Sequence, residues 1–458
     1  MPRTNALNAD LAIIGGGPGG CSAAIRGAQL GGKVVLIEAS KLGGVCINTG
    51  CIPSKVLLNS ARLVGQIRQA EKFGIQVGEP IPNIEQIMAR KQVIVKKIVE
   101  DLTNLLDRSG VTIISGRGRI VSPKHIEVDQ AEGHLQINCA ATIIATGSRP
   151  ASLPVNGVEL AVTTERLVNL EELPQRIIML GGGPEGVEFS TALNELGVKV
   201  TVVEMMETLL PTEDHEVGRY LERILTELGV GVRVATTALS ISKKNSVKTV
   251  SIQGPKGREL LKADLVVLAT GRRPNTKNLG LESLSVASQD GWITVDERMA
   301  TNVKGLYAVG DVAGGGLAHV ASEQGAVAAE NAMGRASTFD ERVIPRCLYT
   351  RPEIAAVGLT EEEARNQGLD FKIGRLKMGE NDRSSILGEE SGFAKVLVDV
   401  VTKRILGVYL VGACASEIIS EAALAMQLNA TVDDVARTIH PYPTVSNALR
   451  MAARNATK

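Results

Sequence analysis

Aromatic residues are scarce in this 458-residue chain, only 2% with a single Trp, so the core available from its 44% of hydrophobic residues is aliphatic. An excess of one charge is missing too. Lys plus Arg and Asp plus Glu each number 50, and nothing in that balance recruits nucleic acid or an anionic membrane surface. No apolar run of about 18 residues escapes charges or Gly and Pro breaks, which argues against a membrane span. The opening MPRTNALNAD lacks the apolar core of a signal peptide, so a soluble, cytoplasmic protein is expected. Cysteines number six, too few for a disulfide scaffold, and a close pair in a reducing compartment is more often catalytic or metal-binding than structural.

Glycine, by contrast, is abundant: 48 residues, above the usual ~7%. At roughly 100–200 residues per domain the length suggests about three domains. Residues 11–38 read LAIIGGGPGGCSAAIRGAQLGGKVVLIE, and residues 177–204 read IIMLGGGPEGVEFSTALNELGVKVTVVE with the same spacings. Gly15, Gly17 and Gly20 match Gly181, Gly183 and Gly186, and the closing acids Glu38 and Glu204 follow at equal intervals. A lone GxGxxG is weak, because glycine turns between strand and helix are common without a ligand. Here each copy follows an apolar strand, opens a helix and ends in an acid about 20 residues on, the full context of a dinucleotide fingerprint. The glycines let pyrophosphate approach the helix N–H groups, and the acid accepts the ribose hydroxyls. Two copies imply two dinucleotides.

A second echo pairs TIIATGSRP (142–150) with VVLATGRRP (266–274). Residues 1–150 therefore read as one nucleotide domain and 151–272 as another. The stretch TNVKGLYAVGDVAGGGLAH (301–319) returns the chain to the first, so that 273–344 completes it. Beyond 345 the strands FAKVLVDV and RILGVYLVG alternate with helical segments, an α+β third domain. The fold class is α/β: two Rossmann-like dinucleotide-binding domains followed by an α+β domain.

Cys46 and Cys51 lie in GGVCINTGCIPSK. On a regular helix five residues rise ~7.5 Å and point the side chains apart, whereas a disulfide wants Cα atoms about 4.4–6.8 Å from each other. The segment must be turned, which Asn48 and Gly50 permit. Pro53 suits a helix's first turn, placing Cys51 at a helix N-terminus whose dipole favours thiolate. Two reduced core cysteines are the bland alternative, and it weakens beside a doubled dinucleotide fold. Zinc lacks a second Cys or His cluster to complete its ligands, so no metal site is expected.

Together GGVCINTGCIPSK, both glycine fingerprints, ATGSRP, AVGDVAGGGLAH, YTRPEIAAVGLTEEEA and HPYPTVSNAL resemble the flavin disulfide reductases of the dihydrolipoamide dehydrogenase, glutathione reductase and mercuric reductase family. CINTGCIPSK and the terminal region look most like the dihydrolipoamide dehydrogenase branch. The resemblance covers essentially the whole chain. It implies FAD in the first nucleotide domain, NAD in the second, and a homodimer whose C-terminal domain, 345–458, completes the partner's active site. It further implies that Cys46 exchanges with a lipoyl-type dithiol, small or protein-borne, and that Cys51 faces the flavin. Lys55 would pair near the flavin with Glu188, and Gly118, Thr146, Gly147, Ser148, Asp311, Leu317, Ala318 and His319 would hold FAD. Gly271 would line the second nucleotide. After Glu204 come Met205, Met206 and Glu207, with no Arg or Lys to receive a 2′-phosphate, so NADH should be preferred over NADPH.

One motif departs from the family. Dihydrolipoamide dehydrogenases end in His-x-His-Pro-Thr followed by Ser-Glu, the second His acting as acid/base and the Glu orienting it. This chain has His440, Tyr442 and Asn447 at the first His, the base and the Glu. A phenol of reference pKa ~10 is a poor base beside an imidazole at ~6.5. His440 matches the first, structural His and is the substitute base to weigh. Tyr442 resembles mercuric reductases, yet their metal-binding module is missing and no cysteine pair follows Cys414. Two alternatives thus stand beside a disulfide oxidoreductase: a reductase of soft metal ions or quinones without a proton-relay His, and a flavin-bound redox sensor with little turnover. Cys21, Cys139, Cys347 and Cys414 read as packing residues, and His125, His134 and His215 as exposed.

Overall fold

The computed structural model describes residues 5–458, and its chain divides into two compact units. One runs up to Val56 and adds Met88–Ala151 and Gly271–Asp340; the other comprises Leu57–Ile87, Ser152–Thr270 and Glu341–Lys458. Residues 57–87, which the sequence places in the first domain, cluster with the second unit, as does the whole C-terminal sheet.

The first unit is built on a five-stranded sheet in the order Leu306–Ala308, Ala141–Ile144, Leu11–Ile14, Val34–Glu38, Thr112–Ser115. All its pairs are parallel, with Leu11 opposite both Val34 and Ala141. Such strands are buried on both faces, which is why LAII and ATII carry no polar alternation beyond Thr142. The small residues of PGGCSAAIRGAQ have a packing reason. Helix Pro18–Gln29 crosses helix Ala318–Ala332 so closely that a Cβ on Gly325 would stand 2.2 Å from the Gly19 carbonyl oxygen. Ser22 Oγ donates to the Ser322 carbonyl at 2.6 Å across the same contact, and Arg26 Nε donates to Glu330 at 2.8 Å.

In the second unit the repeat extends to the sheet. Its strands run Val162–Thr163, Leu265–Leu268, Arg176–Leu180, Lys199–Val203, Gly231–Arg233, again all parallel. Each sheet is interrupted at the same point by an antiparallel meander, Arg117–Asn138 in one, extended to four strands by the parallel Asn5–Asn8, and the three-stranded Thr237–Ala263 in the other. The C-terminal sheet is different: Arg346–Leu348, Ile354–Gly358, Ile405–Val411, Phe393–Asp399, Phe371–Lys377, antiparallel throughout. Helices Ala415–Gln427, Val432–Arg437 and Asn447–Thr457 share its aliphatic core. Among the described residues no helix is long and apolar enough to cross a membrane.

Candidate functional site

The first glycine loop is fixed before any ligand enters. Gly15 takes φ +109°, and a Cβ on Gly20 would lie 1.8 Å from the Gly15 carbonyl oxygen, so only glycine lets the helix start this close to the strand. Gly17 is different: it caps the helix at φ −75°, and a Cβ there would meet nothing within 4 Å. That open cradle lies before a first helical turn free of acidic residues, the surroundings an anionic pyrophosphate needs. Glu38 closes the loop by accepting from Gly16 N–H at 2.6 Å and Ser40 N–H at 2.7 Å. Gly118 lies in strand Arg117–Ser122, close to Ile14.

Asp311 sits in a short 3-10 turn, Gly310–Ala313, and is held in a network of its own unit. Ser148 Oγ donates to Asp311 at 2.5 Å, while Arg272 Nε donates to that same hydroxyl at 2.6 Å. The two segments carrying them, Ser148–Pro150 and Arg272–Pro274, form a two-stranded antiparallel ribbon. Thr146 and Asn275 exchange hydrogen bonds beside it, and the left-handed Gly147 faces open space. Leu317 caps the helix that begins at Ala318, with His319 exposed in its first turn.

The cysteine segment folds as the geometry demands. A short helix, Gly44–Asn48, ends at Thr49 and a new one, Cys51–Arg68, starts at Cys51. Asn48 Nδ2 ties this turn by donating to the carbonyls of Leu42 and Gly44, both at 2.9 Å. Cys46 is half-buried and Cys51 more exposed. The Cys46 thiol is pushed well up, first by its hydrogen bond with Cys51 and then by burial, with Lys55 opposing. Cys51, at the start of its helix, stands where the unsatisfied N–H groups favour a thiolate.

The second loop repeats the first in its glycines, but the first turn of its helix carries Glu185, whose carboxylate accepts from Thr164 Oγ at 2.6 Å. A Cβ on Gly186 would stand 2.0 Å from the Gly181 carbonyl oxygen, whereas one on Gly183 would meet nothing within 4 Å. Glu204 is buried and accepts from Gly182 N–H at 2.6 Å and Met206 N–H at 2.8 Å. Gly271, left-handed at φ +90°, also faces open space. Glu188 is buried in helix Pro184–Glu195, its carboxylate accepting from Tyr349 N–H at 2.9 Å.

In the C-terminal motif the side chains part company. The His440 side chain is 4% exposed, with Nε2 3.0 Å from Glu421 and Nδ1 donating to the Thr438 carbonyl at 3.1 Å. Tyr442 is 75% exposed, and its hydroxyl donates to Asp382 at 2.6 Å. That bond to a carboxylate holds the phenol's pKa above its ordinary value. Asn447 opens the last helix.

Residues 9–325 match the pyridine nucleotide-disulphide oxidoreductase model, and 344–453 match the dimerisation domain of the same family. The chain belongs to the pyridine nucleotide-disulphide oxidoreductases. It is 42% identical to the dihydrolipoyl dehydrogenase of Thermus scotoductus, covering 97% of this chain and 96% of the relative. The Bacillus subtilis dihydrolipoyl dehydrogenase is 39% identical, with 97% of each chain covered. The crystal structure of LpdA from Mycobacterium tuberculosis superposes with a TM-score of 0.90 at 31% identity, over 97% of this chain and 99% of that one.

This family member is an NAD-linked flavoprotein disulfide oxidoreductase using FAD and NAD(H), and the relatives favour that activity over a metal or quinone reductase or a sensor. The residues present suit both groups, because Gly17 and Gly183 each cap a helix with nothing within 4 Å of where a Cβ would stand, which leaves the first helical N–H groups open to a pyrophosphate. Bound FAD supplies two-electron exchange with both the nicotinamide and the cysteine disulfide. Some expectations are corrected. Cys414 is exposed at left-handed φ 58°, capping a helix instead of packing, and His125 is half-buried against Asn138. Asp382, Glu421 and Arg272 were missed. Arg272 had a signal in the GRRP echo; the partners of Tyr442 and His440 lie far along the chain, without a local pattern.

Proposed function

We propose that the chain exchanges electrons between NAD(H) and a lipoyl-type dithiol or disulfide, small or protein-borne, without an imidazole base. In this reading 1–150 with 273–344 holds FAD, 151–272 holds NAD, and 345–458 pairs two copies as a cytoplasmic homodimer. Gly15, Gly17, Gly20, Glu38, Lys55, Gly118, Thr146, Gly147, Ser148, Asp311, Leu317, Ala318 and His319 serve FAD. Gly181, Gly183, Gly186, Glu204 and Gly271 serve NAD, and Lys55 with Glu188 supports the flavin side. The dimerisation domain and the dihydrolipoyl dehydrogenase relatives support this assignment.

The observation that carries the reading is the hydrogen bond from Tyr442 to Asp382, with the His440 ring covered and both its nitrogens engaged. In disulfide reduction the Cys46 thiolate attacks a substrate sulfur, the substrate S–S bond breaks, and the departing thiolate takes a proton. Cys51 thiolate then attacks Cys46, re-forming the protein disulfide and expelling the second substrate sulfur as a thiolate, which takes a second proton from solvent. A phenol kept protonated by Asp382 can donate to the departing thiolate. It cannot strip a proton from an incoming thiol at neutral pH.

Dihydrolipoamide oxidation should therefore be slow at pH 7 and climb as pH nears the thiol value of about 8.5. General base catalysis is typically worth 10² to 10⁴-fold, so Tyr442→His with Asn447→Glu should raise the neutral rate by at least about 10-fold. A fast wild-type rate that breaks near pH ~6.5 and vanishes in His440→Ala would make His440 the base and overturn the assignment.

A further inference from the structure

Ten methionines stand in the chain, and among the described residues only Met205 and Met206 are exposed, at 67% and 49%. They are adjacent and directly follow Glu204, whose carboxylate closes the second glycine loop on Gly182 N–H. Their backbone is pinned there. Glu204 accepts from Met206 N–H at 2.8 Å, Ala235 N–H donates to the Met206 carbonyl at 2.7 Å, and Leu210 N–H donates to the Gly182 carbonyl at 2.9 Å. Two flexible apolar chains left open to water beside a nucleotide cradle gain from being covered, and an adenosine offers the flat apolar face to cover them.

We propose that Met205 and Met206 form the adenosine-facing lip of the NAD(H) site and that their oxidation to sulfoxide lowers NADH affinity. This rests on the reading that Glu204 receives the ribose. The oxidant is a peroxide. A thioether sulfur gives an electron pair to one peroxide oxygen, the S–O bond forms as the O–O bond breaks, and water leaves. Sulfur is oxidised by two electrons and the peroxide reduced by two. The product is polar and chiral where an apolar chain stood, and methionine sulfoxide reductases reverse it.

The test uses FAD-loaded enzyme with its cysteine pair resting as the disulfide, treated with hydrogen peroxide and desalted. Peptide mass spectrometry should place one oxygen on Met205 and Met206. The apparent Kd for NADH, read from stopped-flow flavin reduction, should rise about 10-fold and return after methionine sulfoxide reductase treatment. In Met205→Leu with Met206→Leu the ratio of Kd after and before peroxide should stay near one, which separates these sulfurs from the cysteines. Oxidation of both methionines with unchanged Kd overturns the proposal, as does their failure to oxidise. Glu204→Arg distinguishes the underlying reading: a narrowed NADH over NADPH preference there, with no effect of oxidation, sinks the lip alone. An unmoved preference together with an unmoved Kd sinks the Glu204 assignment as well.

Discussion

At the scale of single residues, the division of labour between the cysteines follows from where each sulfur stands. Cys51 opens an 18-residue helix, where the unsatisfied N–H groups favour negative charge, while Cys46 lies in the preceding five-residue helix, where its hydrogen bond with Cys51 and burial push its thiol up. NADH or dithionite should therefore produce a long-wavelength absorbance from thiolate beside oxidised flavin. Cys51→Ser should abolish it with FAD still bound, whereas Cys46→Ser should preserve it. A band surviving in Cys51→Ser would place the thiolate elsewhere. The same spectra bear on Asp382, since Asp382→Asn should leave the band intact and alter only exchange with the external disulfide.

At the scale of elements, glycines that look alike in sequence divide into two kinds. Gly183→Ala adds a methyl at ordinary φ into open space, so folding should be untouched while NADH binding weakens about 10-fold or more. Gly186→Ala drives a methyl to 2.0 Å from the Gly181 carbonyl and should cost about 1–3 kcal/mol of stability in thermal unfolding. Sequence made the parallel sheets, the glycine loops and the turned cysteine segment legible, because each rests on local periodicity or on backbone freedom at one residue. It could not reveal Lys395. In FAKVLVDV the lysine looks like a solvent-facing break, yet it is fully buried, with Nζ 2.9 Å from Asp214, 3.1 Å from Glu216 and 2.5 Å from Glu361. These carboxylates gather as tightly as metal ligands would, and the ammonium fills the cation's place. Their positions, 181, 179 and 34 residues away, are set by tertiary folding alone.

That cluster carries a pH signature. Burial alone would raise the carboxyl pKa values of Asp214 and Glu361, but the bonds to Lys395 outweigh it and hold both below the ordinary range. Burial would likewise lower Lys395, and the bonds to Glu361 and Asp214 raise it instead. Depressed acids stabilise the fold above their unfolded values near ~4 and lose this as pH falls through the folded ones. The raised lysine stabilises below ~10.4 and loses this as pH climbs through its folded value. Lys395→Met strands the carboxylates and should destabilise the second unit by about 3–5 kcal/mol near pH 7, with a smaller penalty at pH 3. An equal loss of Tm at both pH values would remove the electrostatic account.

At the scale of the whole molecule, the dimerisation domain leaves Leu428 at 70% and Ile439 at 91% exposure, with Leu424 also open. Tyr442 belongs to the same stretch as Ile439, so the surface that should bury these apolar groups also carries the residue assigned to the substrate. If each copy lends Tyr442 to its partner, loss of the dimer must separate two half-reactions. Leu424→Glu with Leu428→Glu should give a monomer by light scattering. NADH should still reduce its flavin at close to the wild-type rate, because the loops and cysteine pair lie before residue 345. Turnover with lipoamide should fall about 100-fold for want of the positioned partner surface. Dilution of the wild type should lower activity per chain along the same curve as dimer dissociation. A monomer that turns over lipoamide at full rate would mean that Tyr442 serves its own chain's cysteines, or none.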